Sequence, residues 1–215
     1  GQRIISNLDI SSIIHIINEE IKKMIDIYYF GIAVYDNDNE QSAYYFIIDH
    51  MLVSKIVKTD SENDLGGYCI KNKEDIIIGN VKTDYKKYIH SKPKEFEGFE
   101  ENSKAVSSAI YTPMIINEKV VGFMTAQSEK ENLYGSDELN ILKILANYTA
   151  IAVENAKIYK EIEDIATYDS LTKFYTKTEI LKIGDKIYEK HKESNIKFSV
   201  IMMDLDNFKI VNDTY

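Results

Sequence analysis

Tryptophan is absent from the 215-residue chain, proline occurs twice, glycine nine times and cysteine once. With Cys69 alone, no disulfide framework or cysteine zinc cluster can form within the subunit. No apolar run reaches the length of a membrane-spanning helix and no signal-peptide pattern is visible, so the chain is expected to be soluble and cytoplasmic. Positive charge is also in deficit. Lys and Arg total 26 against 35 Asp and Glu, a formal net charge of -9, and no basic block stands out, which argues against a nucleic-acid surface. What remains is 44% hydrophobic and 28% charged, with 16 tyrosines, enough for one domain and part of a second.

The dominant stretch runs from Ser136 to about Thr167, a helical pattern without Gly or Pro. Ser136 can cap its start, and Asp137 and Glu138 place negative charge at the positive end of the helix dipole. Leu139, Leu142, Ala146, Thr149, Ala152 and Ala156 form one face suited to packing on a sheet. Ile144, Tyr148, Ile151, Asn155, Ile158, Ile162 and Ile165 follow alternating steps of four and three, a heptad seam. A polar Asn155 at an a position suits a parallel homodimer, where it meets its own copy. The competing reading is a single wide face buried within one subunit.

Upstream, Ile10, Ile13, Ile17, Ile21 and Met24 repeat at helical spacing, predicting a helix over 6–26. Residues 28–36 and 42–49 read as a hairpin, and 51–74 as a weak helical stretch with a bend at Gly66 and Gly67. A buried strand is expected at 74–80, a short helix plus loop at 82–104, and a second hairpin from Ser107–Ile116 and Lys119–Ser128. This order describes an α+β domain with one mainly antiparallel sheet and flanking helices.

SSAIYTPMIINEKVVGFMTAQS followed by NLYGSDELNILKILANYTAIAVENAKIYKEI resembles the closing hairpin and helix of a GAF domain, and the resemblance covers residues 1–160. It implies a sensory module, dimeric through its terminal helices and able to enclose a small ligand whose identity the residues leave unknown. Gln127-Ser128 and Leu133 replace the Asn-Lys pair and Phe of cyclic-nucleotide-binding members, so such a ligand is disfavoured. Cys69 could attach a bilin or be a buried hydrophobe, and His15, His50, His90 and His191 show no ligand spacing. Tyr44, Tyr68, Tyr85, Tyr111 and Thr125 are candidates for lining a pocket, and equally ordinary filling of the sheet.

Beyond the long helix, Thr176 and Glu179 form a capping box that predicts a helix from Lys177 to about Lys192. The run 198–204, apolar without alternation, predicts a strand covered on both faces. Asp204 and Asp206 follow it, hard oxygen donors suited to Mg2+ or simply a solvated turn. DSLT at 169–172 with MDLDNFKIVNDTY resembles the opening of a GGDEF domain, the catalytic module of diguanylate cyclases. By that resemblance Asp204 is the first Mg2+ carboxylate, the Leu205 carbonyl also meets the metal, Phe208 and Lys209 lie along a GTP triphosphate, and Asn212 binds guanine. Where the family continues DxLT with Gly and then Asn-Arg, Lys173, Thr176 and Lys177 stand here.

The expected organisation is a GAF domain at 1–160, an overlapping signalling helix at 136–167, and a truncated α/β GGDEF fragment at 168–215. Because the family's signature motif and remaining carboxylate do not occur before Tyr215, this chain itself is expected to be inactive. The parent it implies is a diguanylate cyclase making cyclic di-GMP from two GTP. The alternative is a non-catalytic dimeric sensor or scaffold.

Overall fold

A computed structural model describes residues 7–48, 51–91, 106–194, 197–204 and 206. The chain divides into two compact units, residues 1–160 and 161–215.

In the first unit, α1 (Asn7–Ile21) precedes an antiparallel sheet of β1 (Tyr29–Asp36), β2 (Gln41–Ile48), β3 (Met51–Lys58), β4 (Ile76–Ile78), β5 (Ser108–Ile116) and β6 (Lys119–Ser128), in the order β3-β2-β1-β6-β5-β4. Between β3 and β4 lies α2 (Leu65–Asn72), and α3 (Val81–Asp84) with a 3-10 turn follows β4. The α+β class with an antiparallel sheet is thus as expected, and three sequence readings are corrected. Residues 51–58 form an edge strand, because all eight find ladder partners on β2. Gly66 and Gly67 lie inside α2, where close approach requires them: a Cβ on Gly66 would stand 2.3 Å from the Phe123 ring. Finally, α1 ends at Ile21, since the next residues close as turns, Met24 N donating to Ile21 O at 3.0 Å.

The sheet separates two apolar layers. On one side Phe30, Ile32, Ile110, Met114 and Met124 pack with Ile14 and Ile21 of α1 and with Leu142, Ala146 and Ala150 of α4 (Ser136–Thr167). On the other, Tyr44, Phe46, Tyr111 and Phe123 pack under Leu65, Cys69 and Ile70 of α2. A register shift at Met114/Ile115, opposite Gly122, changes which side chains of β6 face each layer. Gly122 has φ +156°, and a Cβ there would stand 1.9 Å from the Ala33 carbonyl oxygen, so only glycine fits. At the sheet's edge one carboxylate joins the two sides of the domain: Asp75 accepts from Thr112 Oγ1 at 2.6 Å and from Lys143 Nζ of α4 at 2.7 Å.

In the second unit α5 (Lys177–Ser194) starts where the capping residue predicts, with Glu179 N donating to Thr176 Oγ1 at 3.3 Å. The strand expected at 198–204 is not formed. Residues 197–204 have no ladder partner among the described residues, and Val200, Ile201, Met202 and Met203 are at least 80% exposed. An apolar run becomes a strand only when a neighbour takes its backbone groups.

Candidate functional site

The α2 side of the sheet gathers polar groups into an otherwise apolar layer. Tyr44 on β2, Tyr111 on β5 and Thr125 on β6 are all buried there, because alternation along each strand sends them to one face. The Tyr44 hydroxyl donates to Asp64 Oδ2 at 2.8 Å, and the same oxygen takes the Gly67 amide at 2.7 Å as the N-cap of α2. Gln127 Nε2 donates to the Tyr111 hydroxyl at 3.2 Å and to Thr125 Oγ1 at 3.3 Å. Phe123 sits among the tyrosines, 5.4 Å from the Tyr44 ring and 5.7 Å from that of Tyr111. Tyr68 and Tyr85 stand apart and half-buried at the margin, Tyr68 edge-on to Tyr88 at 5.4 Å.

Burial governs the protonation of this cluster. It pushes the Tyr44 hydroxyl well above its ordinary range, with the Asp64 charge adding to the effect, and raises Tyr111 as well. Asp64 is half-buried as a residue, but its carboxyl lies deep enough that desolvation raises it despite hydrogen bonds from Tyr44, Gly67 and Gly66. Burial, with Asp75 and Asp64 nearby, likewise lifts the Cys69 thiol well above its usual value, so Cys69 is a protonated core side chain. The site therefore offers neutral hydroxyls and an amide around one carboxyl, a set suited to hydrogen bonding and not to nucleophilic attack. Asp64 and Gln127 were not among the sequence candidates. Asp64 had one detectable signal, an Asp directly before a helix, which the apparent glycine bend concealed.

A second candidate surface lies on α4. Its packing face is Leu139, Leu142, Ala146, Thr149, Ala150 and Val153. Ala150 and Val153 thus replace the expected Ala152 and Ala156, which are half-buried, because Val153 lies one turn beyond Thr149 toward the sheet. The seam residues Ile144, Tyr148, Ile151, Asn155, Ile158, Ile162 and Ile165 are all exposed, Tyr148 at 70% and Ile165 at 75%.

In the C-terminal unit Asp169 folds the DSLT segment back on itself, accepting from Leu171 N at 3.2 Å, Thr172 N at 2.9 Å and Thr172 Oγ1 at 2.9 Å. These bonds hold its carboxyl below the usual range. The segments on either side of it meet through an isolated Tyr168–Tyr175 bridge whose rings stack at 5.2 Å. Lys173 has φ +62°, the left-handed conformation that explains the family's glycine at that place. Thr176 serves as helix cap where the family has Asn, one good cap for another. Asp204 and Asp206 are exposed, and Leu205, Phe208, Lys209 and Asn212 lie outside the described residues. The two carboxylates are the right donor type for Mg2+, but among the described residues no group of three His, Cys, Asp or Glu could hold a metal ion.

The chain belongs to the GAF-domain family, whose model matches residues 7–154, and residues 166–215 match the diguanylate cyclase GGDEF-domain model. Diguanylate cyclase A of Treponema denticola is 27% identical over 187 residues, covering 84% of this chain and 43% of that protein. YtrP of Bacillus subtilis is 28% identical over 111 residues, covering 50% and 18%. The chain thus spans less than half the length of either relative. A type II free methionine-R-sulfoxide reductase from Thermoplasma acidophilum shares the fold, with TM-score 0.53 at 13% identity over 71% of this chain and 96% of that one. No described helix is long and apolar enough to cross a membrane.

Proposed function

We propose that this chain is the sensory and regulatory part of a cytoplasmic, GAF-controlled diguanylate cyclase that makes cyclic di-GMP from two GTP. The observation that carries the reading is collinearity: a GAF match at 7–154 and a GGDEF match at 166–215 follow one another, and a diguanylate cyclase aligns across 84% of the chain. The GAF domain would occupy 1–160, the signalling helix 136–167 and the first part of the GGDEF domain 168–215.

In the whole enzyme Asp204 and the Leu205 carbonyl would hold Mg2+, Phe208 and Lys209 would lie along the triphosphate, and Asn212 would recognise guanine. Mg2+ there would offset charge on the phosphates and the leaving group. Two substrates imply two subunits, and the exposed α4 seam supports a parallel homodimer. The buried Tyr44, Tyr111 and Thr125 face, flanked by Tyr68 and Tyr85, is the place for a small-molecule signal.

The full-length parent, incubated with GTP and Mg2+, should release cyclic di-GMP and pyrophosphate, and Asp204→Ala should abolish both. No product, with Asp204→Ala indistinguishable from the parent, leaves the non-catalytic sensor or scaffold.

A further inference from the structure

A concavity lies at one margin of the α2 layer, and none of the five tyrosine and threonine candidates lines it. It is an open cleft of about 600 Å³ between the β1–β2 turn, the segment after β3, the C-terminal end of α2 and the β5–β6 turn. Ile70 and Val120 are buried at its base beside the half-buried Tyr35, an apolar floor. Its walls are pinned to one another. Asn37 Nδ2 donates to the Val120 carbonyl at 3.4 Å, Thr59 N to Glu40 O at 3.0 Å, and Lys73 Nζ to Glu118 O at 2.6 Å. Gly67 lets the segment after β3 close in: a Cβ there would lie 2.3 Å from the Asp60 carbonyl oxygen. The cleft is therefore formed before any ligand arrives, which spares binding an ordering cost.

Its charge runs against that of the molecule. In a chain of net charge -9, three lysines, Lys71, Lys73 and Lys119, line this cleft together with two glutamates, Glu40 and Glu118. Lys71 and Lys119 form no ion pair among the described residues, so their ammonium groups are free to meet a ligand. Three turns in the left-handed conformation that favours glycine frame the rim as well, with Glu40, Lys73 and Glu118 all at positive φ. We propose that this cleft binds a free small organic anion, an apolar body lying on Tyr35, Ile70 and Val120 with one anionic group held between Lys71 and Lys119. It would give the domain an input separate from the buried tyrosine face, and it does not depend on the cyclase reading.

Naphthalene-1-sulfonate, an aromatic body with one anionic group, is the probe. Titrated into the labelled chain and followed by two-dimensional NMR, it should shift the Gly67, Ile70, Lys71 and Val120 amides along one saturating curve. Lys71→Gln with Lys119→Gln should weaken binding at least tenfold. Ser61→Trp, which fills the cleft and keeps both lysines, should abolish it. Lys182→Gln with Lys192→Gln, remote on α5, should change nothing. Shifts confined to other residues, or equal losses in the cleft and α5 variants, would overturn the site.

Discussion

The carboxylate of Asp64 takes the Tyr44 hydroxyl and the first-turn amide of α2 on a single oxygen, at 2.8 and 2.7 Å. One side chain thereby fastens a strand to a helix across the buried polar face. Its carboxyl titrates above the ordinary range because desolvation outweighs those bonds. A carboxyl raised on folding binds its proton more tightly in the native state, so stability falls as pH climbs from the ordinary carboxylate value through the folded one, and stays lower above it.

Asp64→Asn should flatten that dependence. Asparagine caps a helix about as well and carries no charge to desolvate, so the variant should gain on the parent as pH rises from about 4 to 7. Asp64→Ala, losing the cap and stranding the Tyr44 hydroxyl, should cost about 2 kcal/mol. Thermal melts across pH report both; parallel curves for the parent and Asp64→Asn would sink the assignment.

Gly66 and Phe123 should prove coupled. A methyl group at position 66 would stand 2.3 Å from the ring, so Gly66→Ala should destabilise the domain by about 1–3 kcal/mol. Combined with Phe123→Leu, which makes room, the loss should be smaller than the sum of the two single losses. Additive losses in a double-mutant cycle would mean the ring yields freely.

At Lys173 a lysine holds a left-handed backbone. Lys173→Gly removes that strain and should stabilise the 169–176 loop by about 1 kcal/mol. Slower hydrogen exchange at the Asp169 amide, which donates to Phe174 O at 2.7 Å, is the readout. Unchanged or faster exchange would show that the lysine conformation costs nothing.

Ile158→Glu with Ile162→Glu places two charges in the α4 seam and should give a monomer by light scattering. Both side chains are exposed in the single chain, 46% and 57%, so the change should leave the monomer fold and its melting behaviour intact. An unaltered dimer mass would remove the seam from the interface.

Periodicity made much of this fold legible. The long helix, its Ser136 start and its Thr167 end follow from unbroken 3.6-residue spacing and a cap, signals that are local. Both hairpins were equally visible, since their turns and branched residues sit next to one another in sequence. The edge strand β3 was not, because Met51–Lys58 has one polar flank and gains its conformation from β2. Residues 198–204 erred the other way, with strand composition and no partner to pair with. At the buried face, alternation placed Tyr44, Tyr111 and Thr125 together, whereas Asp64 and Gln127 join through tertiary contacts that no spacing encodes.

Asp75 sits at the rim of the sheet, between the link into β4 and the long helix. Since Lys143 and Thr112 share its two oxygens, the short link between α2 and β4 is tethered to the long helix around the rim of the domain. A rearrangement beneath α2 that moved this link would therefore pull on the helix from the side, through the Asp75–Lys143 ion pair, as well as through the packed interior.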